Sequence, residues 1–392
     1  MKTADVVIGA HYGDEGKGLI TDYLASKHSV ALVVRFNGGA QAGHTVVTPN
    51  GQRHVFGHFG SGTLLNHPTY LSKYFIVNPA LFVKELDTLD NKNPVVFISP
   101  DAFVTTPFEM LINQALEASR TVRHGSCGVG INETIERHKY LKIQVKDLQH
   151  TALLRIALEA IREEYVPQRL SELNIKMTEK ISEILNNKQI MTKFISDCQI
   201  LLSRCYIADE QRALNLFDHV IFEGAQGLLL DQNNTEHFPH VTRSNTGLVN
   251  VMDLIQSFDI PKINAYFVTR WYVTRHGAGA LPHEPPIKAL ISSQIEDKTN
   301  VPNEYQGYLR FGFLNINTLR KNIHSELISS FTSKTRINTH VALTCVDQAG
   351  GNRFPVMLDD EPQTLTFTNL MRQINPTLVS FGETRDDIVN NR

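Results

Sequence analysis

Short runs that are apolar at every position, each ended by glycine or a polar turn, set the pattern of the chain. Val6-Val7-Ile8 is a β-branched run closed by Gly9, and after a glycine-rich turn Leu19, Ile20, Tyr23 and Leu24 recur at helical spacing. The predicted order is strand, loop, helix. Ala31-Leu32-Val33-Val34 predicts a second buried strand running into Gly38 and Gly39, and Val95-Val96-Phe97-Ile98 a third. Continuous rather than alternating apolar runs predict a sheet covered on both faces. From about residue 151 to 215 the pattern changes: Leu153, Leu154, Ala157, Leu158 and Ile161, then Ile181, Ile184 and Leu185, recur at helical spacing and predict a helical insertion. Strand-like runs return at Val220-Ile221-Phe222, Ala265-Tyr266-Phe267-Val268 and Val341-Ala342-Leu343-Thr344. Each meets a Gly-, Asp- or Arg-bearing turn, where a doubly wound fold holds its ligands. The expectation is one large α/β domain over 1–392, with a doubly wound, mostly parallel central sheet. The Pro- and Glu-containing stretch 281–306 is expected to be a mobile active-site loop.

Composition narrows the function. With 392 residues and 42% apolar content the chain can bury a core without a disulfide staple. Lys+Arg 38 against Asp+Glu 40 gives a net charge of -2, so no global field favours nucleic acid or an anionic membrane, and any phosphate preference must be local. Cys127, Cys198, Cys205 and Cys345 form no CxxC pair and lack a His-rich neighbour, which argues against a disulfide framework or a zinc site and for a reducing compartment. Met1-Lys2-Thr3-Ala4-Asp5 leads into no long apolar core, and no stretch approaches the roughly 18 apolar residues of a membrane span, so a cytoplasmic location is expected.

Gly13-Asp14-Glu15-Gly16-Lys17-Gly18 has the parts of a phosphate cradle: glycines that bare backbone N–H groups, a helix N-terminus and a cation at Lys17. It is not a Walker loop, which would need glycine at His11 and a hydroxyl at Gly18, and it does not fit GxGxxG. Taken alone, the glycines could make only a tight turn with Asp14, Glu15 and Lys17 solvated. Two carboxylates in a phosphate loop would repel the ligand unless one holds a metal or works as a base, which points to chemistry. A second glycine-rich segment, Asn37-Gly38-Gly39-Ala40-Gln41-Ala42-Gly43-His44-Thr45, adds an imidazole.

Together, Tyr12-Gly13-Asp14-Glu15-Gly16-Lys17-Gly18 and Ala42-Gly43-His44-Thr45 resemble the two signature segments of the adenylosuccinate synthetase family. Phe222-Glu223-Gly224-Ala225-Gln226-Gly227, Pro239-His240-Val241-Thr242-Arg243-Ser244-Asn245-Thr246, Thr274-Arg275-His276-Gly277-Ala278-Gly279, Leu343-Thr344-Cys345-Val346-Asp347 and Ser380-Phe381-Gly382 are similar to later family motifs, in order and spacing. The resemblance implies a homodimer that joins an amine, aspartate by default, to C6 of a purine nucleoside monophosphate, IMP by default, using GTP and Mg2+. It implies that Asp14 removes the N1 proton and helps hold Mg2+, together with Gly43. His44 would stabilise the transferring phosphate and Lys17 would neutralise the phosphate oxygens. Gly13, Glu15, Gly16, Gly18, Gly43 and Thr45 would line the GTP side, while Asp347 and Gly382 would face its base. Gln41, Ser126, Cys127, Gln226, Thr242, Arg275 and Arg310 would meet the monophosphate or the amine.

Two departures stand against the default substrates. Where the family carries an arginine run for aspartate, this chain reads Asn303-Glu304-Tyr305-Gln306-Gly307-Tyr308-Leu309-Arg310, and only Arg310 survives. Gly125-Ser126-Cys127-Gly128-Val129-Gly130 replaces a threonine pair and an arginine at the family's phosphate loop, and Arg137, Lys139 and Lys142 are the nearby candidates for the arginine lent across the dimer. Alternatives are a purine-modifying paralogue acting on GMP or dGMP, against which the retained Asp14 counts, a plain phosphotransferase, and a nucleotide-binding regulator.

Overall fold

The computed structural model describes residues 2–89, 93–121, 126–300, 307–332 and 334–391. Its centre is a ten-stranded sheet with the spatial order Ile388–Asn390, Leu378–Ser380, Arg336–Thr344, Lys262–Arg270, Thr3–Gly9, His219–Gly227, Leu32–Arg35, Thr69–Leu71, Val96–Ile98 and Cys205–Ile207. Every neighbouring pair is parallel except the edge pair Leu378–Ser380 and Ile388–Asn390. The continuous apolar runs have the expected cause. Along Thr3–Gly9, Val6 and Ile8 enter one buried cluster and Val7 another, and Phe222 and Ile221 divide the same way. Successive side chains point to opposite faces of a strand, so both faces are covered.

Thr3–Gly9 lies between His219–Gly227 and Lys262–Arg270, which the chain reaches only after its excursion to the far edge, and the glycine-bearing loops that follow the carboxyl ends of these strands stand where such sheets hold their ligands. At their amino ends Asp5 lies 3.1 Å from His219 and accepts 2.8 Å from Asn264, Thr3 Oγ1 meets the other nitrogen of His219 at 2.6 Å, and His28 stacks on His219. That grouping lies toward the opposite end of these strands from the glycine-bearing loops.

A four-stranded sheet, Tyr272–Arg275, Arg310–Asn315, Phe354–Leu358 and Glu361–Leu365, and a hairpin, His44–Val47 with Arg53–Phe56, were not expected from the pattern. The 151–215 region holds the helices Thr151–Ala160, Val166–Glu172, Glu179–Asn186, Lys188–Arg204 and Glu210–Asn215, and also the strand Cys205–Ile207 that closes one edge of the large sheet. Its apolar stripe runs through Leu154, Leu158 and Ile161, all buried, whereas Leu153 faces solvent. Met191, Phe194, Ile195, Cys198 and Leu201 carry the stripe on through Lys188–Arg204 into a second core. Of the 281–306 stretch, 301–306 lie outside the described residues, and Leu281, Ile291 and Ile295 anchor the remainder in the core.

Candidate active site

The phosphate loop is built around Glu15. Its Oε1 accepts from the backbone N–H of His11 at 3.1 Å and of Gly13 at 2.8 Å, and its Oε2 pairs with Lys17 at 2.9 Å. Glu15 and Lys17 are both buried, so the reading of this loop as a solvated turn does not hold. Glycine is required around it. A Cβ on Gly9 would stand 2.4 Å from the Glu15 carboxylate, and one on Gly227 would stand 2.4 Å from the His11 carbonyl. Gly13 and Gly16 take φ of 98° and 99°, and Gly16 caps the helix Lys17–Ala25. Two hydroxyls fasten the loop's carbonyls: Thr344 donates to Glu15 O at 2.6 Å and Thr274 to Gly13 O at 3.1 Å. Gly18 lets the helix start press on the hairpin, since a Cβ there would be 2.7 Å from Thr45 O.

Asp14 stands at φ 59°, its Oδ2 3.3 Å from His276 Nε2. Burial raises its carboxyl, but the hydrogen bond and charge of His276, with Arg270 and Lys17 behind them, outweigh this and hold it below the usual carboxylate range. The donor types fit Mg2+: Asp14 offers a carboxylate in a loop of bared backbone, and the exposed Gly43 offers a carbonyl, both hard oxygens.

His44 is buried and lies 2.6 Å, through Nδ1, from Glu223 Oε1. Ser61 completes the carboxylate, donating its N–H to Glu223 Oε2 at 3.0 Å and its hydroxyl to Oε1. Burial would raise Glu223, yet the charge and hydrogen bond of His44, then Arg35 and Ser61, bring it down to about 2. Burial lowers His44 more than Glu223 raises it. With Nδ1 committed, Nε2 is the buried atom of His44 that has no hydrogen-bond partner among the described residues. Lys17 acts electrostatically on both Asp14 and His44.

The flanking positions divide. Gln226, at φ 60°, and Gln41 each keep a buried amide oxygen with no partner among the described residues, and both approach Gly38. Asn37 locks their two loops together, exchanging bonds with the Ala225 N–H at 2.7 Å and carbonyl at 3.0 Å. Arg275 is committed within the chain: it bonds Ala280 O at 2.7 Å and His240 O at 2.9 Å and lies 4.5 Å over the Tyr12 ring. Arg310 is also committed, to Glu284 through both Nε at 3.0 Å and Nη2, and to the carbonyls of Gly277 and Gly279. Thr242 is half-buried and its N–H donates to Leu230 O at 2.8 Å.

Gly125 lies outside the described residues. Ser126 accepts from Asn113 at 2.8 Å, and burial pushes the Cys127 thiol up to about 11, which keeps it protonated. Arg137 is not available to a partner, because it is fully buried on Glu109 at 3.1 Å and on two carbonyls. Thr45 faces Thr299 at 3.2 Å. Asp347 is the exposed residue of the turn Val346–Gln348, whose Val346 is buried, and its carboxyl is raised by lost hydration and by Asp387 and Glu383. Gly382 packs against the Asp387 side chain, 2.5 Å from where its Cβ would be. The residues that sequence reasoning missed as site members are Glu223, Ser61, Arg35 and His276. Glu223 had one signal, a carboxylate ending the otherwise apolar run Val220-Ile221-Phe222.

Residues 6–336 match the family model for adenylosuccinate synthetase. The adenylosuccinate synthetase of Buchnera aphidicola is 33% identical over 297 residues, which take in 72% of this chain and 66% of that protein, so the match spans slightly under two thirds of that relative's length. That of Borrelia turicatae is 31% identical over 362 residues, 87% of this chain and 76% of its own. Among solved structures, fully ligated adenylosuccinate synthetase from Plasmodium falciparum superposes with a TM-score of 0.76 at 17% identity over 100% of both chains. Cyanophage S-2L succinoaminodeoxyadenylate synthetase, bound to dGMP and dATP, does so with 0.65 at 14% identity, over 100% of this chain and 95% of that one. The two superpositions establish the shared fold, and the match over 6–336 with relatives above 30% identity establishes descent: this chain belongs to the adenylosuccinate synthetase family.

Proposed function

We propose that the chain is a GTP- and Mg2+-dependent ligase that phosphorylates O6 of a purine nucleotide, IMP by default, and displaces it with an amine, aspartate by default. The observation that carries this reading is the grouping of Asp14, Lys17 and His44, each held by its own partner: the half-buried His276, and the buried Glu15 and Glu223. Asp14, kept ionised, is suited to take the N1 proton of a 6-oxopurine, which drives charge onto O6. The Lys17 ammonium is suited to lower the cost of negative charge gathered on the phosphate oxygens, and His44 Nε2, without a partner among the described residues, is suited to the transferring group. Mg2+, held by Asp14 and the Gly43 carbonyl, would supply charge neutralisation at those oxygens. The free amide oxygens of Gln41 and Gln226 are suited to N–H groups of a base or an amine.

A second reading, a paralogue with a different amine, is favoured by one specific observation. The Arg310 fork is already filled by Glu284 and two carbonyls, so it offers no open seat to an aspartate carboxylate. The fold neighbour from cyanophage, bound to dGMP, supplies a precedent for a changed purine. GTP consumption should be followed with IMP, GMP or dGMP, each with and without aspartate, with product mass as the readout. Turnover that needs IMP and aspartate supports the default. Turnover with another purine, or consumption of GTP independent of aspartate, selects the second reading, and no turnover with any purine rejects both.

A further inference from the structure

We propose that His276 is a positioning residue for Asp14, fixing one carboxylate oxygen so that the other is presented to the ligand, and that the turn 297–300 fixes His276 in its place. The inference rests on Asp14 acting as the base and goes beyond it by naming what orients that base.

Asp14 has need of such support. It is a non-glycine residue in the left-handed region, at φ 59°, a conformation that costs about 1–2 kcal/mol, and the bonds that order its loop run to Glu15 rather than to its own side chain. His276 supplies the contact, Nε2 to Oδ2 at 3.3 Å. The imidazole cannot drift with its backbone. It follows Arg275, whose guanidinium is tied to the Ala280 and His240 carbonyls and seated over Tyr12. Its Nε2 lies 3.0 Å from Asn300 Oδ1 as well. A nitrogen set between a carboxylate and an amide oxygen must carry a hydrogen, which both the Nε2–H tautomer and the cation satisfy.

Asn300 is itself held at two points by Asp297, its N–H to Oδ1 at 2.9 Å and its Nδ2 to Oδ2 at 2.7 Å. Asp297 also accepts the Thr299 N–H at 2.9 Å, and Thr299 Oγ1 meets Thr45 Oγ1 at 3.2 Å and Arg53 at 2.9 Å. The chain of bonds therefore runs from the carboxylate of Asp14, through His276 and the 297–300 turn, to the residue next to His44. The Asp14 loop and the His44 hairpin share one hydrogen-bonded support, and a shift of the turn moves the base.

The test compares kcat and KM in the wild type, His276→Val, His276→Gln, Asn300→Ala and Asp14→Asn, on whichever purine and amine the wild type turns over. Valine removes the donor, whereas glutamine places an amide N–H near the position of Nε2. His276→Val should lose about 10- to 100-fold in kcat with KM for purine and GTP within about threefold, glutamine should restore most of it, and Asn300→Ala should lose severalfold. A crystal structure of His276→Val, which needs no turnover, should show the Asp14 carboxylate rotated or split between orientations. Wild-type kcat in His276→Val, or an unmoved Asp14 in that structure, overturns the proposal. If Asp14→Asn abolishes turnover while His276→Val does not, this inference alone fails. If Asp14→Asn retains full turnover, the reading of Asp14 as base fails with it.

Discussion

Each charged group of the candidate site is defined by the residue behind it. Glu223 shows this best: a fully buried carboxylate is costly unless paired, and His44, Arg35 and Ser61 together bring its pKa down to about 2. By taking the Nδ1 side of His44 it leaves Nε2 for the ligand. Glu223→Gln removes the charge and retains the shape, so kcat should fall by about 100-fold with little change in KM, as read by steady-state kinetics. An equal loss in KM alone would mean that His44 serves only binding. Acid stability carries the same signature. Since the folded pKa lies below the unfolded value of about 4.3, the stabilisation is present above that value and is lost as pH falls toward 2, and the glutamine variant should lack it. Asp14, Lys17 and His44 were legible in the sequence as candidates because their glycine-rich surroundings are local. Glu223 and His276 were not, because a partner supplied from a distant strand leaves no spacing to read, and the filling of Arg310 by Glu284 was hidden for the same reason.

At the scale of elements, the unit that matters is the strand Thr3–Gly9, the loop and the helix Lys17–Ala25, folded over Glu15. Gly16→Ala would place a side chain at φ 99° with its Cβ 3.2 Å from the Thr344 methyl. The conformational cost is about 1–2 kcal/mol, and the methyl contact can yield by a few tenths of an ångström. Gly227→Ala should be worse, because its Cβ would meet the His11 carbonyl at 2.4 Å, and backbone held by Glu15 cannot give way. The expected ranking of urea midpoints is wild type, then Gly16→Ala, then Gly227→Ala, with GTP binding weakened in both. A Gly227→Ala protein as stable as wild type would show that the Glu15 nest is not what sets this loop. The strands of the large sheet were readable because burial on both faces makes them apolar throughout. The smaller sheet was not: Tyr272–Arg275 follows Lys262–Arg270 with only Trp271 between, and that buried indole, bonded to Cys345 O at 2.8 Å, marks the turn out of one sheet into the other. Cys205–Ile207, a strand of three residues directly following a helix of seventeen, reads as a helix end until the parallel edge beside Val96–Ile98 claims it.

For the whole molecule, the covering of both sheet faces has a consequence for pH. Polar side chains are drawn into the interior with the apolar ones: among the described histidines, the buried His11, His44, His67 and His138 and the half-buried His28 and His237 are held below their ordinary pKa, with burial the largest cause in each, while His276 is held above. For His11 and His138 the fall is to about 4. Between the unfolded value of about 6.5 and that level, the unfolded chain binds protons that the folded chain refuses, so stability rises with pH across the interval and falls as the solution is acidified, by on the order of 1 kcal/mol per pH unit per group at most. His276 works in the opposite sense, contributing stability below its unfolded value that is lost as pH rises through its folded one, but among the described histidines it is one group against six. The urea midpoint should therefore fall from pH 7.5 to pH 5, before the carboxylates begin to titrate. His138, stacked on Phe103 at 3.4 Å between ring centres, is the place to test the cause. His138→Phe retains a ring and removes the titration, so the drop in midpoint should be smaller than in the wild type. An equal drop would assign the acid sensitivity to other groups, and a midpoint that does not move between the two pH values would mean that these imidazoles are hydrated in the folded chain and that the interior is less closed than its packing indicates.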